Sequence, residues 1–142
     1  RRLSSAASDV YKRQLLNEVI VGSVSGGGHF GGGLFINSLD HARFGLLFLR
    51  NGKWKNELLL SSEWIKLVQQ PSKNNESYGY MWWLNKGERK WRDLSENIYY
   101  GAGFGGNFIV IIPDQNLVVV ARWIDSSKIG EFIEMVVKSS IG

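Results

Sequence analysis

The stretch from Asn107 to Ile124 constrains this 142-residue chain more than any other. Asn107–Ile112 and Leu117–Ile124 are dominated by β-branched and other apolar residues, and Pro113-Asp114-Gln115-Asn116 between them has the chemistry of a tight turn. Two strands joined so closely pair antiparallel. Their arms are strongly apolar, so the hairpin is expected in the centre of a covered sheet. Part of the cover follows at once. Ile129, Phe132, Ile133, Val136 and Val137 repeat at i, i+3, i+4, i+7 and i+8. They predict a helix starting near Ser126 or Ser127 that lies flat on one face of the sheet.

Upstream, the alternating aromatic run Tyr78–Asn85 reads as one strand, Lys86–Asn97 as a charged connection, and Ile98–Tyr100 as a short strand. Ser38 is placed to cap a helix that Gly52 ends, with Asp40 complementing the dipole of its first turn. Its apolar face is expected at Leu39, Ala42, Leu46 and Leu49, widened by Phe44 and Leu47. Ser61 caps a second helix that Pro71 terminates. Leu15–Val24 reads as an edge strand or a strand entering a loop. Ser25–Gly33, SGGGHFGGG, holds six glycines in nine residues and must be a loop. The fold class is α+β: an antiparallel sheet with a final hairpin, flanked by helices that include a C-terminal one.

Residues 1–14 do not read like the rest, and SSAASDVYKRQ resembles translated sequencing-adapter read-through. A natural disordered arm is the alternative. Either way residues 1–14 stand apart from a domain covering 15–142. They also carry much of the formal charge of +4, which falls to +1 without them, so the case for a nucleic-acid partner weakens. No apolar run approaches the roughly 18–20 residues that span a bilayer, and no membrane partner is expected. With no cysteine, disulfides and thiolate catalysis are excluded. His29 and His41 are the only histidines and no HExxH occurs, so neither a metal nor a cofactor is expected. Gly101-Ala102-Gly103-Phe104-Gly105-Gly106 carries GxGxxG glycines, but a strand follows instead of a helix, which removes the dinucleotide argument.

A serine nucleophile needs a base within hydrogen-bond reach and an oxyanion hole. The chain has no GxSxG elbow, no SxxK and no KTG, and its two Ser-x-Asn triplets, Ser72–Asn74 and Ser95–Asn97, read as surface loops. Three segments nevertheless resemble, in order, the serine β-lactamase and penicillin-recognising superfamily, nearest its class C-like esterases and 6-aminohexanoate-dimer hydrolases. They are VSGGGHFGGGLFINSLDHARFGLLFLRNGKW, SYGYMWWLN, and YYGAGFGGNFIVIIPDQNLVVVARW with the terminal helix. Together they cover nearly everything from about residue 19 onward.

The resemblance implies a partial β-lactamase-like fold: the carboxy-terminal portion of a hydrolase acting on ester, amide or β-lactam carbonyls through an acyl-enzyme, with its Ser-x-x-Lys further upstream. It places Tyr99-Tyr100-Gly101 at the family's Lys-Thr-Gly-like triad, with Tyr99 a departure from the usual Lys or His. Ala102 would give its backbone N–H to the oxyanion hole. Gly101 and Gly103 would allow close approach to the substrate, and Tyr100 would line its pocket. His29 either lines that pocket or fixes the glycine loop. GAGFGG could equally be a bent strand start. Asn107 either holds the glycine turn or begins the strand. His41 is expected to be solvated, Arg43 to find a partner on the helix surface or at a sheet edge, and Tyr78, Tyr80, Trp82 and Trp83 to be core, unless one reaches a pocket rim. The rival reading is a non-catalytic module that holds a peptide or glycan in an aromatic groove. The resemblance allows a periplasmic or secreted parent. The sequence chooses neither a location nor an oligomeric state.

Overall fold

The computed structural model describes residues 36–140. The expected strand at Leu15–Val24, the loop with His29 and residues 1–14 lie outside the described residues.

Helix α1 spans Ser38–Leu49. Its N-cap is Asn37, one residue before the serine expected there. The Asn37 carboxamide oxygen accepts from the Asp40 N–H at 2.8 Å, and its Nδ2 donates to the Asp40 carboxylate at 2.6 Å. Asp40 is buried and takes a further bond from Arg43, which is the surface pairing expected of that arginine. The buried face of α1 is Asp40, Gly45, Leu47 and Phe48, with Phe44 packed beside them. The expected face thus holds at Leu47, with Phe44 and Leu49 at the core margin, but is rotated away at Leu39, Ala42 and Leu46. Leu39 is 69% exposed and, with Ala42, Leu46 and Leu49, lines an open groove of about 350 Å³ beside Asn116 and Val118. The physical reason is that two residues of the true face are not hydrophobic in the usual sense. Asp40 is buried with its carboxylate bonded by Asn37 and Arg43. Gly45 lets the helix touch the sheet, where an added Cβ would stand 2.6 Å from Val118 and 2.9 Å from Ile109.

Past Leu49 the chain turns through Asn51 and Gly52, both with positive φ, and the Gly52 N–H closes on the Leu47 carbonyl at 2.9 Å. A small hairpin follows, β1 (Lys53–Trp54) and β2 (Glu57–Leu58). Helix α2 (Ser62–Val68) is capped by Ser61, whose hydroxyl accepts from the Trp64 N–H, as the sequence predicts.

The main sheet has five antiparallel strands in sequential order: β3 (Tyr78–Gly79), β4 (Trp82–Leu84), β5 (Tyr99–Gly103), β6 (Asn107–Ile112) and β7 (Leu117–Ala121). Tyr78–Asn85 is thus not one strand. Tyr80 and Met81 both take positive φ and form a two-residue turn between β3 and β4. β5 also runs further than expected, carrying Gly101–Gly103 into the ladder. The final hairpin forms with its expected turn. Asn116 sits in the left-handed region at the end of the Pro113–Gln115 3₁₀ turn. Of the two hairpin strands β6 is the internal one, and Phe108–Ile112 are all buried. β7, expected near the centre, is the last strand of the sheet among the described residues.

Two cores sandwich this sheet. Phe48 of α1 with Ile65 and Val68 of α2 packs on Trp82, Leu84, Tyr99, Ile109 and Ile111. On the other face, helix α3 (Ile129–Ser140) packs Ile129 and Ile133 on Tyr100, Phe108, Val110, Ile112, Val119 and Ala121, with Phe132, Val136 and Val137 at the margin. This is the apolar face that the period predicts, and the α+β class stands.

Candidate functional site

The parity of β5 fixes where its side chains and amides point. Successive residues of a strand face opposite sides of the sheet. Tyr99 therefore enters the α1–α2 core, where it is 1% exposed and its ring meets Trp82 edge-on at 5.2 Å. Burial pushes its hydroxyl well above the usual tyrosine range. Tyr100 and Ala102 face the α3 side. Tyr99 and Tyr100, adjacent in the proposed triad, are thus separated by the thickness of the sheet.

Backbone groups alternate within the plane of the sheet in the same way. The Ile98 carbonyl accepts from the Asn85 N–H at 2.9 Å, so Ile98 aims its polar groups towards β4. Tyr100, two residues on, aims its own the same way and pairs with Trp83. Ala102 has the same parity, but β4 pairing ends at Tyr100. The Ala102 N–H therefore projects past the end of β4 with no strand partner among the described residues. Gly101 has the opposite parity and faces β6. A Cβ there would meet Ile109 at 3.0 Å, so the lack of a side chain serves packing on the α1 face. Gly103 would meet only ordinary contacts and is exposed.

The turn beyond is held by Gly105 and Gly106, both with positive φ. A Cβ on Gly106 would stand 1.8 Å from the Ile124 carbonyl, a position no other residue fits. Asn107 does both things considered for it. It opens β6, and its Nδ2 donates to the Phe104 carbonyl across the turn at 2.7 Å.

Ala102 and Tyr100 open on a cleft of about 500 Å³ whose other walls include Trp83, Glu88 and Lys90. Trp83 is 39% exposed and stacks nearly parallel on Tyr100. It is the aromatic that reaches the rim of this cleft; Trp82 is core as expected, whereas Tyr80, in the β3–β4 turn, is 50% exposed and is not. Burial raises the Tyr100 hydroxyl above its ordinary value. The Lys90 ammonium lies over two rings, 5.8 Å from the centroid of Tyr100 and 5.4 Å from that of Phe108, the cross-strand partner of Ala102.

Lys90 stands where it does because of Asn85, which is fully buried at the end of β4. Its Nδ2 donates to the carbonyls of Trp91 and Ser95, each at 2.9 Å, and its Oδ1 accepts from the Trp91 N–H at 3.0 Å. The connection thereby folds back across the sheet. Ser95 and Asn97 pin its far end to the Asp114 carboxylate and hold that group below the usual carboxylate range. Sequence reasoning missed Lys90, Glu88 and Asn85. The one available signal was the Trp82-Trp83 pair, since adjacent large aromatics on a strand cannot both enter one core.

His41, expected to be solvated, is half-buried with its Nδ1 unpartnered among the described residues. Desolvation, reinforced by the Arg122 charge, lowers its pKa. It is on α1, away from the cleft. Among the described residues no serine hydroxyl bonds a histidine or lysine side chain, and no group of three or more His, Asp or Glu side chains could hold a metal ion. No described helix is long and apolar enough to cross a membrane.

No family model and no curated protein matches the chain. Among solved structures it is similar to a chain from Bacillus anthracis named as a 6-aminohexanoate-dimer hydrolase, with a TM-score of 0.57 and 22% identity over 76% of this chain. The match spans 29% of that structure's length. At this identity the likeness is one of fold: part of a β-lactamase-like α+β architecture with a hydrolase as structural neighbour.

Proposed function

We propose that this chain forms the oxyanion side of a serine hydrolase site that cleaves ester, amide or β-lactam carbonyls. The observation that carries the reading is that Ala102, whose N–H lies past the end of β4 pairing, lines a cleft walled by Trp83 and Tyr100. A backbone donor held by a ladder on one side and free on the other is preorganised to receive charge as it develops on a carbonyl oxygen. In such a reaction a serine oxygen bonds to the carbonyl carbon. The bond to the leaving oxygen or nitrogen breaks as that atom takes a proton, and water then releases the acid. The serine and its base would come from a Ser-x-x-Lys that this chain lacks. The 142 residues alone should therefore leave p-nitrophenyl butyrate intact, and turnover abolished by mutating one of the chain's own serines would refute the reading.

The test of the donor uses the longer reading frame that contains this chain. Ala102→Pro removes the N–H, and kcat for that ester should fall by roughly 10²–10³ with KM little changed, while Ala102→Gly keeps most of the rate. A kcat within a factor of about two of the unsubstituted protein in Ala102→Pro would overturn the assignment. A second reading has one observation in its favour: the near-parallel Trp83–Tyr100 pair could hold a peptide or glycan without chemistry. It predicts a longer protein with no Ser-x-x-Lys and no turnover.

A further inference from the structure

Four cations, Lys86, Arg89, Lys90 and Arg92, sit on the stretch after β4, and two of them have acceptors among the described residues. Lys86 donates to the Gln69 carbonyl at 2.9 Å. Arg89 bonds the Glu96 carboxylate at 3.0 Å and the Leu94 carbonyl at 2.9 Å. Lys90 has no carboxylate or carbonyl acceptor among the described residues. Its ammonium is placed instead by the faces of Tyr100 and Phe108, at the wall of the cleft that Ala102 also lines. Aromatic faces hold a cation by their quadrupole without neutralising its charge.

We infer that Lys90 is an anion-recognising residue of this cleft, and that the ligands it selects pair an apolar or aromatic body with a carboxylate. The body stacks on Trp83, and the carboxylate meets Lys90 beside the strand edge. The inference rests on the cleft being the substrate site, and it names the class of acyl compound that site takes. Glu88 also lines the cleft and would favour a cationic ligand. Lys90 is the better-placed group, because it adjoins Phe108, the cross-strand partner of Ala102, so two sources of positive potential converge on one region. The charge of Glu88 makes the opposite preference a real alternative outcome.

The test is a binding measurement on the 142-residue chain, independent of turnover. Phenylpropionate, phenylpropionamide and phenylpropylamine share one body and differ in charge. Each is titrated while tryptophan fluorescence is followed. Phenylpropionate should bind about fivefold or more tighter than the amide, within what one partly solvated ion pair supplies. The preference should shrink in about 0.5 M salt, disappear in Lys90→Met, and persist in Lys90→Arg. Equal affinities, a preference that survives Lys90→Met, tighter binding of the amine, or no binding of any of the three would each overturn the inference. Selective anion binding joined to an unaffected kcat in Ala102→Pro would remove the hydrolase reading and leave the anion subsite standing. A rate loss in Ala102→Pro with no anion preference would do the reverse.

Discussion

At the scale of single residues, the most exposed consequence of the fold is the environment of His41. Its imidazole is half-buried on α1 and feels the charge of Arg122, with Nδ1 buried and unpartnered among the described residues. Burial and the neighbouring guanidinium both oppose protonation, so its folded pKa lies below the ordinary 6.5. A group that must stay neutral in the folded state leaves the unfolded chain free to bind its proton first. Stability is therefore intact above 6.5, falls as pH drops through that value, and levels off once the folded-state pKa is passed. The carboxylates of Asp114 and Asp125, held low by hydroxyl and amide donors, lose their contribution only below 3.8. The His41 window therefore opens first as the pH falls from neutral. Urea midpoints measured from about pH 7.5 down to about 5.5 should decline, and His41→Gln should flatten the decline. An equal slope in the variant would show that His41 is not its source.

At the scale of elements, the connection between β4 and β5 hangs on one amide. Asn85 supplies four bonds, the longest to the Leu94 carbonyl at 3.4 Å, that fold Lys86–Asn97 back over the sheet and set Trp91 and Lys90 in place. Asn85→Ala removes these bonds and strands the Trp91 N–H inside the core. At about 1 kcal/mol for each bond plus the desolvation of the orphaned groups, the loss should be about 2–4 kcal/mol. Denaturant unfolding measures it, and a loss below about 0.5 kcal/mol would mean the connection is held by its other contacts. This element also shows what sequence could and could not supply. The final hairpin and α3 were legible because apolar periodicity and turn chemistry agreed there. The connection was not, because its organiser is a single polar residue whose partners are main-chain atoms up to ten residues away. The turn at Tyr80-Met81 carries neither glycine nor asparagine, so nothing announced it. The rotated face of α1 was hidden because its buried positions include an aspartate and a glycine. The site was half legible for a related reason. Strand parity says that Tyr99 and Tyr100 part ways, but only packing says which of the two faces the cleft.

At the scale of the whole molecule, the described sheet is well covered on its faces and poorly covered at its margin. β7 has one strand neighbour among the described residues, and its outer edge runs beside the groove that α1 leaves open with Leu39, Ala42, Leu46 and Leu49. An unpaired strand edge next to an apolar groove offers both backbone bonds and hydrophobic contact to another chain. Phe104 and Trp123 add exposed aromatic surface near the β5–β6 turn. Charge does little to oppose association, since most of the formal +4 belongs to residues 1–14. The purified chain should therefore self-associate at micromolar concentrations, which sedimentation velocity over a dilution series would reveal. If the groove is the contact, Leu39→Lys should shift the series towards monomer while leaving the circular dichroism unchanged, because that side chain is already 69% exposed and contributes little to the core. A soluble monomer with a sharp, cooperative melt at high micromolar concentration would show that the edge and the groove are satisfied within one chain, and the reading of α1's outer face as uncovered would fall with it.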